Sequence, residues 1–216
     1  MDTKRLYVDF HVLQTVPPSC VNRDDTGSPK TAVYGGATRA RVSSQAWKHA
    51  MRQAFVEESL LDEEDVGKRT KKVTELVEKE IAALAPEKDA AKLAKEVVKN
   101  TGLKVNEKKD EKKLKTLIFL SKAQVSALAE LGIEGCTEAK KYKDALGAAP
   151  SVDMVLFGRM VAEAASLNYD AAAQVAHSIS THAVQNEYDY FTAVDDCPDS
   201  DNAGASHLDT KEYNSA

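Results

Sequence analysis

The sequence predicts an α+β protein, with short strands near both ends of the chain and amphipathic helices in its middle. Apolar and polar residues alternate over residues 6–12, which is the period of a half-buried strand. Apolar residues recur at helical spacing from Trp47 to Phe55. Residues 57–113 are rich in Glu, Lys, Ala and Leu with mixed charge, a composition typical of solvated helix surfaces.

The first predicted strand would bury one face, formed by Leu6, Val8, Phe10 and Val12. Residues 15–34 follow as a predicted loop, because turn-forming residues cluster there. Within it, Arg23 and Lys30 are candidate phosphate contacts. Asp24 and Asp25 are adjacent carboxylates beside this basic stretch, so they either cap the turn and pair with Arg23 or provide an acidic or metal site.

The next segment has the features of an anion-binding site. Two glycines form a turn, and Arg39 and Arg41 then alternate along a strand-like segment. Ser43 or Ser44 can cap the following helix, because a serine oxygen accepts hydrogen bonds from amides of the first helical turn.

This helix is predicted to have an apolar face formed by Trp47, Ala50, Met51, Ala54 and Phe55. The opposite face carries Gln45, Lys48, His49 and Arg52. Cations near a helix N-terminus favour phosphate binding, since the free amides and the helix dipole act in the same direction. The alternative is an ordinary surface helix, for which a partly basic polar face is common.

Further elements are predicted along the rest of the chain. A helix covers the apolar stripe from Val73 to Leu84, and a weaker stripe contains Leu93, Val97 and Val98. Residues 104–115 are nearly all charged and predict a loop. A strand is predicted at 116–120, and a helix follows that starts with a capping box from Ser121 to Gln124 and that Gly132 closes. A buried strand is predicted at 152–160. Asp170 is predicted to cap a short helix, and a strand is predicted from His177 to Thr181.

After Val184 the chain runs through Gln-Asn-Glu-Tyr-Asp-Tyr-Phe-Thr and then into a predicted polar, acidic loop that continues to residue 216. Three aromatic residues at its start, Tyr188, Tyr190 and Phe191, are either core anchors or base-stacking surfaces. His177 and His182 are five residues apart, which places them on opposite faces of a strand, so we expect no two-histidine metal site.

Bulk composition limits the possible functions. The net charge is −5 and the pI is about 5.6, which argues against a protein that coats nucleic acid with its whole surface. Residues 23–52 nevertheless contain six Lys/Arg and two Asp, a basic stripe suited to gripping a polyanion along one groove. The cysteines, Cys20, Cys136 and Cys197, form no CxxC pair, so we expect free thiols, no metal and no cofactor. We expect no membrane segment and a cytoplasmic location.

Two separated blocks of sequence resemble the CasC family, the repeated backbone subunits of the type I-E CRISPR surveillance complex, Cascade. The first block comprises Asn22-Arg23-Asp24-Asp25, Gly35-Gly36 and Arg41-Val42-Ser43-Ser44-Gln45 with Lys48 and Arg52. The second comprises Gly158-Arg159-Met160, Ala176-His177, Thr181-His182 and Tyr190-Phe191-Thr192-Ala193-Val194-Asp195-Asp196. The region between about 57 and 149 matches loosely.

The resemblance implies a hand-shaped protein with an incomplete RRM-like (ferredoxin-like) palm. Residues 1–56 would provide the palm's first strand, basic loop and first helix. Residues 57–187 would form a large, mostly helical finger insertion and its return, and residues 188–216 a thumb loop. Because members of this family continue beyond the length of this chain, we expect residues 1–216 to lack the remaining palm strands and to be poorly soluble alone.

The resemblance also implies a function without catalysis. Copies would polymerise along the spacer of a CRISPR RNA and, with other Cascade subunits, present it for pairing with target DNA. The implied RNA-binding residues are Arg23, Lys30, Arg39, Arg41, Ser43, Gln45, Lys48, Arg52 and Arg159. Phe191 and Thr192 of one copy and Met160 of its neighbour would form a wedge that displaces guide bases. The alternative for Met160 and Phe191 is packing in the core of one subunit.

Two other classes of protein remain possible. One is a CRISPR-associated relative that cleaves RNA with an aspartate of the first loop, for which Asp24 or Asp25 is the candidate. The other is a helical scaffold that binds no RNA. Metal-dependent cleavage of bound RNA would indicate the first, and the absence of co-purifying nucleic acid would indicate the second.

Overall fold

The computed structural model describes residues 5–106, 110–161, 164–193 and 207–215. Its elements are β1 (Thr31–Tyr34), β2 (Ala37–Val42), α1 (Ser44–Glu57), β3 (Lys68–Thr70), α2 (Val73–Leu84), α3 (Ala90–Thr101), β4 (Val105–Asn106), β5 (Asp110–Leu114), β6 (Ile118–Leu120), α4 (Lys122–Ile133), α5 (Ala139–Gly147), α6 (Val152–Phe157), a 3-10 turn (Ala165–Leu167), β7 (Ser178–Ile179), β8 (Gln185–Ala193) and β9 (His207–Ser215). This mixture of helices and small antiparallel sheets confirms the predicted α+β class.

The chain divides into two compact units. The first unit consists of residues 1–46 and 176–216, and the second of residues 47–175. The division falls inside α1, directly before Trp47. This division reflects which residues contact one another, and it does not test the predicted boundaries of palm, finger and thumb. The boundaries after residues 56 and 187 therefore stay predictions.

A three-stranded antiparallel sheet organises the first unit. Strand β2 is central and pairs with β1 on one side and with β7 on the other. Gly35 and Gly36 join β1 to β2 and have φ angles of +64° and +76°. Two consecutive residues with positive φ are the requirement of a type I′ hairpin turn, so the glycine pair sets the geometry of the hairpin that carries Arg39 and Arg41. The predicted loop ends earlier than expected, because β1 already begins at Thr31.

Strands β8 and β9 form a second antiparallel pair in this unit, with Gln185 opposite Ser215 and Ala193 opposite His207. The prediction of a loop over residues 188–216 was therefore wrong for β9 and for most of β8. Acidic composition misled it, because a two-stranded ribbon exposes polar residues on both faces and so lacks a strong apolar alternation. The segment that joins them lies outside the described residues.

The strand predicted for residues 6–12 is absent, and this part of the chain is irregular and exposed. Leu6 and Phe10 are each 87% exposed. A strand needs a neighbour for its backbone hydrogen bonds, and within the described residues no strand pairs with this segment. Alternation alone was insufficient to establish a strand.

The second unit is built around a helical core of α2, α3 and α4. Val77, Ile81, Val97 and Leu128 are fully buried in it. The predicted stripe of α2 and the weaker stripe of α3 are confirmed. The capping box of α4 is also confirmed, since Ser121 Oγ accepts from Gln124 N and Gln124 Oε1 accepts from Ser121 N.

Several predictions in the second unit need correction. Residues 152–157 form α6 rather than a strand, because a short apolar run does not distinguish the two and Ser151 with Asp153 starts a helix. The charged stretch 104–115 contains the paired strands β4 and β5. Gly132 lies inside α4, and Asp170 is followed by irregular chain instead of a helix.

Candidate nucleic-acid interface

The two arginines of β2 are held by backbone carbonyls within the first unit. Arg39 donates from Nε to the Tyr34 carbonyl and from Nη1 to the Ser180 carbonyl, both at 3.0 Å. Arg41 donates from Nε to the Thr31 carbonyl at 3.1 Å, and its Nη1 lies 3.4 Å from His177 Nδ1. Both side chains are half-buried. A guanidinium has five donors, so each arginine is fixed in direction and keeps donors for an anion.

The loop before β1 is closed by Asp24. Its Oδ1 accepts from Thr26 Oγ1 at 2.7 Å, Thr26 N at 2.9 Å and Ser28 N at 3.0 Å. The hydrogen bond from the Thr26 hydroxyl is the main reason why the pKa of Asp24 lies below its ordinary value. The prediction that Asp24 caps the turn is confirmed.

Arg23 takes a different partner from the one expected. Its Nη1 donates to the Gly27 carbonyl at 2.6 Å and to the Glu212 carbonyl of β9 at 3.4 Å, instead of pairing with the adjacent carboxylates. Lys30 is half-buried, and its ammonium has no hydrogen bond or ion pair to another described residue. Arg23 therefore braces this loop, while Lys30 remains available to a phosphate.

The start of α1 has the predicted cap. Ser43 Oγ accepts from the amide of Ala46 at 3.3 Å, and the amide of Ser43 donates to Asn22 Oδ1 at 3.0 Å. Ser43 is only 2% exposed, whereas Gln45 is exposed. Of these two predicted RNA-binding residues, Gln45 is thus the one that presents its side chain to solvent.

In the second unit, α1 does not bury the predicted apolar face. None of its residues is fully buried, and Met51 is 38% exposed. Phe55 stacks on Phe157 of α6 with ring centroids 6.2 Å apart. Lys48 is half-buried, with Nζ 6.0 Å from the centroid of Phe157.

Arg52 belongs to a network around a buried carboxylate. Its Nε donates to Asp153 Oδ2 at 2.7 Å, and its Nη2 donates to the Gly67 carbonyl at 2.9 Å. Asp153 Oδ1 also accepts from Gly67 N at 2.9 Å and from Ser151 Oγ at 2.6 Å. The guanidinium lies 4.6 Å from the ring centroid of Phe119. These contacts give Arg52 a structural partner on its own unit.

Arg159 differs most from the sequence prediction, which placed it beside a phosphate. It is 4% exposed, and its guanidinium donates to protein acceptors only in the described contacts: the carbonyls of Leu167, Phe119 and Leu146, and Gln124 Oε1. Burial also lowers its pKa below the ordinary arginine value. Arg159 is therefore an interior residue.

Met160, directly after Arg159, is 84% exposed. Packing of Met160 in the core of the subunit is thereby excluded. Gly158 has φ of +76°, and a Cβ at this position would lie 2.8 Å from the Tyr169 carbonyl oxygen. The glycine permits this close approach of two backbone segments.

The aromatic residues of β8 divide between the two faces of the β8–β9 ribbon. Tyr188 and Tyr190 are 68% and 64% exposed, which excludes their proposed role as core anchors. Phe191 is half-buried, with Lys211 Nζ 4.7 Å from its ring centroid, and Thr192 is exposed. Because side chains alternate along a strand, Phe191 faces away from both tyrosines.

Two partners of the predicted RNA-binding arginines, Asp153 and Gln124, were not predicted from the sequence. Asp153 stands alone in an apolar run, and Gln124 was assigned only to a capping box. A lone charge inside an apolar run is the signal that could have identified Asp153, because a buried carboxylate requires a cation or several donors. No comparable local signal marks the contact between Gln124 and Arg159, which are 35 residues apart.

Cys20 and Cys136 are free thiols as expected, and Cys197 lies outside the described residues. In the described ranges, no three His, Cys, Asp or Glu side chains are grouped to hold a metal ion. Of the helices in those ranges, none is long and apolar enough to span a membrane.

These features define an α+β protein with an arginine-bearing hairpin before a capped helix and a glycine-anchored loop that exposes a methionine. The chain belongs to the CT1975-like protein family, because the family model Cas_CT1975 matches residues 8–216. It is thus a CRISPR-associated protein. The comparison with curated proteins gives no match.

Solved structures support this assignment. One similar chain comes from a structure described as "CRISPR RNA-guided surveillance complex, pre-nicking"; it is 32% identical with a TM-score of 0.71, over 93% of this chain and 59% of that one. Another comes from a "CRISPR RNA-guided surveillance complex"; it is 26% identical with a TM-score of 0.62, over 93% of this chain and 60% of that one. The chain therefore spans about three fifths of the length of these relatives.

Proposed function

We propose that this protein is a non-catalytic backbone subunit of a type I-E CRISPR surveillance complex that binds CRISPR RNA. Copies of it polymerise along the guide spacer and, with other Cascade subunits, present the guide for pairing with target DNA in antiviral defence. The observation that carries the proposal is the 32% identity, over 93% of the chain, to a chain of a CRISPR RNA-guided surveillance complex.

Three features of the side chains support guide binding. Arg39 and Arg41 lie on one face of β2 with their guanidiniums fixed by carbonyls, which reduces the entropy lost when they bind phosphate. Lys30 and Gln45 present polar groups without a protein partner in the described contacts. The exposed Met160 provides an apolar group for displacing a base.

The RNA-cleaving alternative would require a carboxylate free to hold a metal ion or a proton. One oxygen of Asp24 accepts three hydrogen bonds in its turn, so we favour a structural role for it. Asp25 is exposed and remains the candidate of that alternative.

The test is to purify the protein with its guide and measure the absorbance ratio at 260 and 280 nm, followed by the salt dependence of RNA affinity. Co-purifying RNA with affinity that falls steeply with salt is expected. Protein free of nucleic acid would support the scaffold alternative. Magnesium-dependent cleavage of the bound RNA that is lost in Asp25→Ala would support the enzyme.

A further inference from the structure

Met160, in the second unit, is a solvent-exposed residue between two buried neighbours. Arg159 is 4% exposed, Met160 is 84% exposed and Val161 is 5% exposed. We propose that Arg159 is a positioning residue, which anchors this segment in the interior and thereby holds Met160 outward against the guide. The inference rests on the proposed function, in which Met160 displaces a guide base.

The guanidinium of Arg159 ties the segment to four separate parts of the unit. Nε donates to the Leu167 carbonyl at 2.7 Å, at the end of the 3-10 turn. Nη1 donates to the Phe119 carbonyl of β6 and to Gln124 Oε1 of α4, both at 3.2 Å. Nη2 donates to the Leu146 carbonyl of α5 at 2.8 Å. These four acceptors fix the side chain in one conformation, since the guanidinium is planar and rigid.

The backbone is fixed as well. The amide of Arg159 donates to the Tyr169 carbonyl at 3.1 Å, and the amide of Tyr169 donates to the Arg159 carbonyl at 2.8 Å. The guanidinium carbon lies 5.1 Å from the centroid of the Tyr169 ring. Gly158 allows this approach, because any side chain there would clash with the Tyr169 carbonyl. Met160 consequently has a flexible side chain attached to a rigidly held backbone.

Burying the charged side chain of Arg159 costs more free energy than burying an apolar side chain of similar size. The four acceptors of the buried cation are neutral, so the hydrogen bonds replace lost hydration without a counter-charge. Lysine has a single nitrogen with three donors and therefore cannot reach all four diverging acceptors. A residue that only filled space in this position could be apolar.

The experiment compares guide-bound complexes that carry Met160→Ala, Arg159→Gln, Arg159→Lys or Val97→Ala, using chemical probing of the paired target DNA. Val97 is fully buried among the helices of the same unit, so Val97→Ala is a control for lowered stability. In the unmodified complex and in Val97→Ala, reactive bases should recur periodically. We expect this pattern to be lost in Met160→Ala and in both Arg159 variants, with guide affinity unchanged in the Arg159 variants. Arg159→Lys keeps the charge and most of the volume of the side chain, so this variant tests the positioning role if Arg159→Gln does not fold.

A periodic pattern that survives in both Arg159 variants but is lost in Met160→Ala would overturn the positioning role. The same conclusion would follow if Arg159→Gln kept the pattern and lowered the salt dependence of guide binding, as a phosphate contact would. A pattern unaffected by Met160→Ala would instead show that the proposed displacement by Met160 is wrong, and the positioning role would fail with it.

Discussion

Arg52 Nε and Asp153 Oδ2 are 2.7 Å apart, and the Asp153 side chain is completely buried. The carboxylate accepts two further hydrogen bonds, from the Gly67 amide and the Ser151 hydroxyl. Arg52 was expected from the sequence to bind phosphate. The ion pair means that Arg52→Ala would leave an uncompensated buried charge, so loss of RNA binding in that variant would not distinguish a phosphate contact from misfolding.

We predict that Asp153→Ala lowers the free energy of unfolding by about 3–5 kcal/mol, because it removes a buried charge partner and leaves several donors unsatisfied. Urea titration of the unmodified protein and of Asp153→Ala measures this difference in the free energy of unfolding. The matched control is Glu138→Ala, since Glu138 pairs with Lys141 at 2.9 Å while both side chains are more than half exposed. That control should change stability by less than about 0.5 kcal/mol. Equal effects of the two substitutions would contradict a structural role for Asp153.

The predicted phosphate-binding face of α1 is better tested at Lys48. We predict that Lys48→Ala weakens RNA binding equally for all sequences and reduces the slope of log affinity against log salt by about 0.7, the value for one contact to a single strand. Lys95→Ala is the control, because Lys95 is exposed on α3 and has no hydrogen bond or ion pair in the described contacts. An unchanged slope in Lys48→Ala would count against RNA tracking by this helix.

Gly132 was predicted to close α4 but is instead a point of close helix packing. A Cβ there would lie 2.5 Å from Val97 Cγ2, and Val97 is fully buried in α3. Overpacking costs roughly 1–3 kcal/mol, while alanine regains about 1 kcal/mol of helix propensity. We therefore predict that Gly132→Ala lowers the melting temperature. Gly147→Ala, with nothing within 4 Å of the new Cβ, should leave it unchanged or raise it; the reverse order would refute this packing explanation.

The parts of the fold that the sequence predicted are those with local signals. Helices α2 and α3 follow from apolar spacing, the start of α4 from Ser121 and Gln124, and the β1–β2 turn from Gly35 and Gly36. These signals act between residues a few positions apart, so a single stretch of sequence is sufficient to read them.

The errors concern elements whose state depends on distant partners. Residues 152–157 form a helix in which Asp153 forms an ion pair with Arg52, 101 residues earlier in the chain. Arg159 was expected from the family resemblance to hold a phosphate, yet acceptors from distant segments allow its burial. At the candidate site, the sequence indicated the basic hairpin and the exposed methionine position, but it could not show which cations are already paired.

The turn closed by Asp24 should depend on pH. Its pKa is lowered below the ordinary value of 3.8, chiefly by the Thr26 hydroxyl, so the stabilisation is complete above that value and is lost as pH falls through the folded pKa below it. We predict that the amides of Thr26 and Ser28 are protected from hydrogen exchange at pH 5 and lose protection below pH 3.8. In Asp24→Asn this transition should disappear, whereas the control Asp25→Asn should keep it. A transition that persists in Asp24→Asn would assign it to another group.

The last prediction concerns mismatches between guide and target. If Met160 of one copy and Phe191 with Thr192 of its neighbour displace a guide base, the corresponding target base is unpaired, and a mismatch there should cost nothing. A mismatch elsewhere loses about 1.4 kcal/mol or more of stacking, close to a tenfold change in affinity. Affinities measured for single mismatches along the guide should therefore show regularly spaced tolerant positions.

Those tolerant positions should disappear in the triple variant Met160→Ala, Phe191→Ala, Thr192→Gly, because the displaced bases can then pair. Leu84→Ala is the control: Leu84 is an apolar residue that is 52% exposed at the end of α2, and it belongs neither to the wedge nor to the predicted RNA-binding residues. Its removal should leave the spacing intact. Mismatch costs that are uniform along the guide in the unmodified complex would refute the wedge, since a continuous duplex gives every position a similar cost.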